Sequence, residues 1–375
     1  MKVWVIGRGY PSVKNQMLGS FELEQAKMLA RGGVKVVYPQ VDMRSIRRWR
    51  KFGIEWRTED NVVIPTLNIP IGRLLNKDKR DKLFPKLMIK LEEKIINKYG
   101  LPDVVHVHYP SIFPYVIVDF LQQRGVKIVS TEHWTKVFDK SLDEESLHNL
   151  TEFTEKGDAI CCVGTPLKNS IIELTHTEKK VYIVPNIVGE SFKPAEKHHK
   201  GFLFVTAGRL VPVKQYDKIV SAFLNVFSGN EDVTLSMAGE GKEREKIQKI
   251  IEERDSKHQV HMLGEISREQ MVELISTCDV LIVFSELETF CVPVIEAWAC
   301  GKPVITTTTT VFAENPDSRL GIMVDWENQN SLENALQYLY EHYTEYDPEW
   351  ISRYAQEHFS EDVVRRKLLE LYSLS

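Results

Sequence analysis

Residues 285–307 read SELETFCVPVIEAWACGKPVITT, and the run Val280-Leu281-Ile282-Val283-Phe284 stands directly before them. An apolar run bounded by polar residues fits a buried parallel strand. Val294, Ile295, Ala297 and Trp298 then recur at helical spacing, and Cys300-Gly301-Lys302-Pro303 stops the helix before Val304-Ile305 opens another strand. Strand, loop, helix and strand in this order build a doubly wound α/β sheet. Glu288 is thereby placed in a strand-to-helix loop at the carboxyl edge of the sheet, where open α/β sheets bind ligands, and Glu296 one to two turns into the helix. Pro293 suits the first helical turn, where its missing N–H costs nothing. The free donors and positive dipole end of that turn suit an anion such as a diphosphate. A pair of glutamates at this spacing is ordinarily a solvated helix face. Here both are embedded in apolar or small residues, and a buried carboxylate needs partners. Polyhydroxyl ligands supply them, since each carboxylate accepts two hydroxyl hydrogen bonds.

Around this segment, 375 residues with 43% hydrophobic and 27% charged side chains describe an ordinary globular chain long enough for two domains. No apolar run approaches a membrane span. The chain enters Val3-Trp4-Val5-Ile6 at once, so no signal peptide is expected and a cytoplasmic setting is. Five cysteines, an odd number without C-x-x-C spacing, argue against disulfide frameworks and zinc sites. The first 188 residues hold 29 basic and 22 acidic side chains, a net +7, and the remainder of the chain's −5 is therefore −12. Halves of opposite sign favour two domains, the first of them meeting something anionic.

Strand patterns at 2–6, 34–38, 104–107, 127–131, 159–163 and 181–184 alternate with helical ones, such as Phe21 to Ala30 and Ser111 to Gln123. After the polar stretch Lys193 to Lys200 the alternation restarts, with strands at 202–206, 233–237, 259–262, 280–284 and 303–307. The fold expected is α/β, two doubly wound Rossmann-like parallel-sheet domains facing a cleft. The domains are 1–188 and 189–349, followed by a helical segment 350–375 that returns to the first domain.

Two more loops carry candidate chemistry. Gly208-Arg209-Leu210-Val211-Pro212-Val213-Lys214 follows a strand and places two cations where they could clamp a diphosphate and neutralise charge on a leaving group; an isolated pattern of this kind is also what a plain surface loop offers. Met237-Ala238-Gly239-Glu240-Gly241 follows another strand with residues small enough for close ligand approach. In the first half, His108 and Thr131-Glu132-His133 also stand at strand ends, as sugar contacts or as satisfied core histidines.

The order Gly19, His108, Thr131-Glu132-His133, Pro185-Asn186, Gly208-Arg209-Leu210, Lys214, Gly239-x-Gly241, Leu263-Gly264, Glu288-x-Phe290, Glu296-Ala297 and Gly301-x-Pro303-Val304 resembles the retaining glycosyltransferases of family 4. These are nucleotide-sugar enzymes with the GT-B fold. The resemblance implies that Arg209 and Lys214, with Gly208, hold the donor diphosphate. It implies that Glu296 binds the ribose hydroxyls, and that Glu288 with the backbone amides of Phe290, Cys291 and Val292 holds the donor sugar. Gly19 and Gly239 would let backbone approach the donor, Ile266 would lie by the base, and His133 would meet the sugar near the reacting centre. The sequence departs from the family at Cys291, where Gly is usual, at Leu18-Gly19 for a double Gly, and at Ile187 for Gly. A Cys forced to positive φ would be strained and would put the Cys291 amide contact in doubt.

The resemblance further implies front-side transfer through an oxocarbenium-like transition state, with the departing diphosphate stabilised by Arg209, Lys214 and the helix dipole. The chain has no D-x-D pair, so no metal is expected. No cofactor is expected beyond the donor substrate, a UDP-sugar ahead of a GDP-sugar. The acceptor would be a saccharide or lipid-linked saccharide of cell-surface polysaccharide synthesis. Other readings of the same residues are a GT-B glycosyl phosphorylase, a nucleotide-sugar hydrolase, or a catalytically impaired partner subunit. Arg44, Arg47, Arg48, Trp49, Arg50, Lys51, Trp56 and Arg57, and the lysine-rich stretch from Arg73 to Lys98, suit an anionic membrane surface. They equally suit a solvated helix with snorkelling lysines. No nucleic-acid motif accompanies the charge.

Overall fold

The computed structural model describes residues 1–11, 18–44, 51–71 and 74–374. The chain forms two compact units, residues 1–184 with 365–375, and residues 185–364. Each is built around its own sheet.

The first unit's strands are β1 (Lys2–Ile6), β2 (Lys35–Val37), β3 (Gln40–Asp42), β4 (Gly53–Glu59), β5 (Val62–Asn68), β6 (Val104–His108), β7 (Lys127–Glu132), β8 (Ala159–Cys162) and β9 (Val181–Ile183). They lie in the order β3-β5-β2-β1-β6-β7-β8-β9, with β4 paired antiparallel to β5. Asp60 and Asn61 make the β4–β5 turn at φ 46° and 63°, the left-handed geometry that tight hairpins favour. Strands β3, β4 and β5 were not expected from the sequence. Ile54 and Trp56 pack on the core of this unit, while the Arg57 guanidinium turns the other way and donates to Thr66 Oγ1 at 3.2 Å. Trp56 and Arg57 are therefore alternating positions of a strand, and their charge-and-aromatic pattern reflects a pleat.

Helix Lys77–Tyr99 is capped by Asn76, whose side chain accepts from the Lys79 N–H, and it buries Met88, Leu91 and Ile95. Phe84 and Leu87 also pack onto the core, so the apolar residues between the lysines face inward. Lys98 sits 4.1 Å over the Trp56 ring. Arg47, Arg48, Trp49, Arg50 and Arg73 lie outside the described residues. No helix among the described residues is long and apolar enough to cross a membrane.

The second unit holds β10 (Phe202–Ala207), β11 (Val233–Ala238), β12 (Val260–Gly264), β13 (Val280–Val283), β14 (Val304–Thr307) and β15 (Gly321–Val324). All pair in parallel, in the order β12-β11-β10-β13-β14-β15. The winding reverses between β10 and β13, and the loops leaving the carboxyl ends of those two strands part there, opening a crevice. Fully buried Phe204, Phe223, Ile282, Phe284 and Leu336 fill the core. Edge strand β15, also unforeseen, is only half-buried at Ile322 and Met323 and leaves a weak apolar signal.

Helix Pro348–Phe359 belongs to this second unit, and the return of the chain to the first begins at Arg365. Trp298 explains the attachment: its Nε1–H donates to Leu320 O at 3.0 Å, and its ring packs on Phe312, Tyr354 and Phe359. Trp298→Ala should therefore cost about 3–5 kcal/mol of stability. Urea denaturation checks this, and a loss below 1 kcal/mol would contradict the packing role.

Candidate active site

The cation loop that follows β10 and the glutamate loop that follows β13 flank the reversal point of the second sheet. The Glu286 N–H donates to Val213 O at 2.9 Å, so the two loops are held to each other by backbone. Across this link Lys214 Nζ donates to Glu288 Oε1 in a short ion pair. Lys214 is 24% and Glu288 11% exposed at the side chain, so neither is in free water. Burial disfavours the ammonium, but Glu288 and Cys291 together more than offset this and raise the Lys214 pKa. Lys214 remains charged. Sequence reasoning gave the two residues separate ligands; the structure joins them. Arg209 lies on the surface of the same loop, and no described side chain forms an ion pair with it. Arg209, Lys214 and Glu288 together carry one net positive charge.

Below the pair is a small cavity lined by Thr206, Tyr216, Ser285, Cys291 and Pro293. Cys291 adopts φ 72° and ψ 77°, the left-handed conformation that glycine takes most readily. The backbone here is thus held in the glycine-like conformation despite the side chain. The Val294 N–H closes back on Cys291 O at 3.1 Å, and the Val311 N–H holds Phe290 O at 2.8 Å. The buried Phe290 ring packs edge-on to Phe359. Val292 and Pro293 form the first helical positions, so this end of helix Val292–Ala299 presents few but oriented donors. Burial pushes the Cys291 thiol well up, with Glu288 adding to the effect, which makes it a poor nucleophile.

Close backbone packing requires the glycines of these loops. A Cβ on Gly239 would sit 1.8 Å from Gly208 O, and one on Gly241 would sit 2.3 Å from Leu210 O. Gly208 itself takes φ 147°. Neighbouring chain segments pass in contact at the ends of β10 and β11, so Gly239 makes room for protein backbone. Gly19 is similar: at φ 72° it begins helix Ser20–Arg31, and a Cβ there would lie 2.0 Å from Gly9 O. Ile266 is half-buried in the loop before helix Arg268–Thr277.

Glu296 lies in helix Val292–Ala299, 5% exposed. Burial raises its pKa to about 7, against the pull of Arg268, whose Nη1 is 3.3 Å from Oε1. Arg268 in turn lies 5.1 Å over the Phe192 ring. This arginine was missed in the sequence, where nothing in Ser267-Arg268-Glu269 marks it beyond a helix start.

His133 belongs to the first unit, in a stack with His108 and Tyr109. Fully buried Glu132 fixes its loop: Oε1 accepts the His133 and Trp134 N–H groups at 2.8 Å each, and Oε2 accepts the Ser111 hydroxyl at 2.6 Å.

Residues 187–358 match the family described as Glycosyl transferases group 1, and residues 23–191 match Glycosyltransferase Family 4. The N-acetyl-alpha-D-glucosaminyl L-malate synthase of Bacillus anthracis is 29% identical over 219 residues, 55% of this chain and 56% of that protein. The phosphatidylinositol N-acetylglucosaminyltransferase GPI3 subunit of Saccharomyces cerevisiae is 27% identical over 244 residues, 62% of this chain and 54% of that protein. The matches thus span little more than half of these relatives' length. Among solved structures, HepE of Anabaena in complex with UDP superposes with a TM-score of 0.73 at 14% identity, covering 100% of both chains. That likeness is one of fold.

Glu296 gives a pH signature independent of any ligand. Its folded pKa of about 7 lies above the ordinary 4.5, so the folded protein retains a proton that the unfolded chain releases. The resulting stability is fully present below the ordinary value and is lost as pH rises through the folded one. Glu296→Gln should flatten that fall by up to about 3 kcal/mol. Denaturation midpoints from acid to neutral pH measure it; an unchanged slope would place the proton elsewhere.

Proposed function

The chain belongs to the group 1 glycosyltransferases, and on that premise we propose that it transfers a sugar from a nucleotide-sugar donor to a saccharide or lipid-linked saccharide, with retention at the anomeric carbon. The observation that carries this reading is the Lys214–Glu288 pair at the reversal point of the second sheet, beside the start of helix Val292–Ala299.

In this reading the donor's diphosphate takes the Arg209 guanidinium and shares the Lys214 ammonium with Glu288. Both are charge-assisted donors aimed where negative charge grows as the sugar–phosphate bond breaks. The Cys291 and Val292 amides add their dipoles. The sugar's hydroxyls donate to Glu288, and the ribose diol donates to Glu296 in place of Arg268. His133 is proposed as a sugar contact in the form of a neutral imidazole, since burial lowers its pKa to about 4.

The acceptor hydroxyl attacks the anomeric carbon from the face the diphosphate leaves. Its proton passes to the departing phosphate oxygen, and the new glycosidic bond replaces the sugar–phosphate bond. Such a path needs leaving-group stabilisation more than a protein nucleophile. It asks for no metal. UDP is favoured as the nucleotide by the HepE complex, and both relatives carry N-acetylglucosaminyl in their names, so UDP-N-acetylglucosamine is the first donor to test. The glycine-like backbone at Cys291 supports an active subunit over an impaired one.

The test is transfer assayed by proton NMR of the product anomer, with EDTA present, and with donor alone to expose hydrolysis. The expected product keeps the donor's anomeric configuration. Arg209→Ala and Lys214→Ala should each lower transfer at least about a hundredfold. Melting curves control for folding, because removing Lys214 strands a part-buried carboxylate. Near-normal turnover in a folded Lys214→Ala protein would refute the role.

A lipid-linked acceptor also calls for a cytoplasmic membrane face. Lys77, Lys79, Lys82, Lys86 and Lys90 are exposed, and Phe52 and Leu74 are 74% and 82% exposed. Flotation should show binding to vesicles with anionic lipid and none to neutral ones, weakening with salt. Failure on both would remove the membrane partner.

A further inference from the structure

Strands β6 and β7 of the first unit bring three imidazoles into one stack. His106 and His108 lie 4.5 Å apart at 16°, and His108 and His133 lie 5.2 Å apart at 17°. His108 Nδ1 is 2.9 Å from His133 Nε2. His108 is 2% exposed, and its other nitrogen, Nε2, is buried without a hydrogen-bond partner. His133 is partly exposed, and among the described residues none bonds its Nδ1, which is also absent from the buried unpaired atoms. That nitrogen therefore reaches solvent.

Burial keeps all three rings neutral, helped by repulsion from neighbouring histidines at His106 and His108 and from Arg8 at His108 and His133. A neutral pair bridged by one hydrogen bond has two arrangements. If His133 donated through Nε2–H, His108 would carry its own proton on Nε2, an N–H buried against nothing. If His108 donates through Nδ1–H, its Nε2 is only a lone pair. Orphaned buried N–H groups are rarer than under-used acceptors, so the second arrangement is preferred.

We propose that His108 donates to His133 and thereby holds it in the tautomer protonated at Nδ1, so that His133 offers a fixed N–H to the substrate and cannot act there as a base. His108 is then a positioning residue, set in the sheet and two bonds removed from the chemistry. The backbone side of the same arrangement is the Glu132 carboxylate, which grips the His133 N–H at 2.8 Å and fixes where the ring stands. A neutral imidazole with one assigned nitrogen can polarise a sugar oxygen across the working pH range without titrating. This rests on the reading in which His133 meets the transferred sugar.

The experiment is a long-range nitrogen–proton NMR correlation on the full chain labelled at histidine, with His133 assigned from its absence in His133→Ala. The expected pattern is a protonated Nδ1 and a bare Nε2 on His133. His108→Phe keeps the stacked ring and removes the donor; His133 should then shift to Nε2–H, with a loss of transfer on the order of tenfold, the size of one hydrogen bond. His108→Asn, whose amide N–H can replace Nδ1–H, should restore both. A wild-type His133 protonated at Nε2, or a tautomer unchanged in His108→Phe, would overturn the proposal. If His108→Phe does not fold, the wild-type spectrum still decides. An Nδ1–H tautomer in a chain without transfer activity would count against the enzymatic reading and leave the tautomer assignment standing.

Discussion

The Lys214–Glu288 ion pair is the interaction on which the second unit's site depends. Two parallel strands wound in opposite directions leave a gap at their carboxyl ends, and the loops on either side would be free to spread. The pair, with the Glu286-to-Val213 backbone bond beneath it, draws them together. Part-buried charges are costly alone and tolerable when matched. The protein thereby sets a cation against a carboxylate at a place where a ligand with phosphate and hydroxyl groups could satisfy both. Ligand binding does not have to create these charges; it only has to share them.

Cys291 shows how closely backbone geometry is held there. A side chain at φ 72° is strained by about 1–2 kcal/mol, yet the turn keeps that conformation. The Phe290 and Val294 backbone bonds on either side over-determine it. Strain that survives where glycine would relieve it is a mark of functional sites. The second carboxylate, Glu296, is poised differently: its burial leaves it near its titration point, with Arg268 as a loose and displaceable partner.

Much of this was legible in the sequence. The segment around Glu288 and Glu296 folds as its pattern implies, because an apolar run, a Pro at the helix start and a Gly-x-Pro stop all agree. Of the two domain sheets, most of the buried parallel strands were readable to within a residue or two, since burial on both faces leaves continuous apolar runs. Strand β4 was not, because half-exposed it alternates charge with an aromatic and resembles a basic surface segment, and β5, though buried and largely apolar, carries Pro65 in mid-run, which argues against a strand. Edge strand β15 is half-buried at its two central residues and does not stand out. Side-chain partnerships were the least readable. Lys214 and Glu288 are 74 positions apart, and Arg268 and Glu296 are 28 apart. Nothing local announces that either pair meets. The packing need at Gly239 was equally hidden: the backbone of Gly208 passes too close for any side chain there.

The chemistry proposed from this arrangement is one of prepared electrostatics: fixed cations for a leaving diphosphate, fixed carboxylates for hydroxyls, and neutral histidines in the other unit. A crystal structure of the protein with UDP tests this most directly. The account predicts the diphosphate within hydrogen-bond reach of Arg209 and Lys214, and the ribose diol on Glu296 with Arg268 moved aside. A nucleotide bound elsewhere, with the Lys214–Glu288 pair untouched and Arg268 still on Glu296, would contradict it.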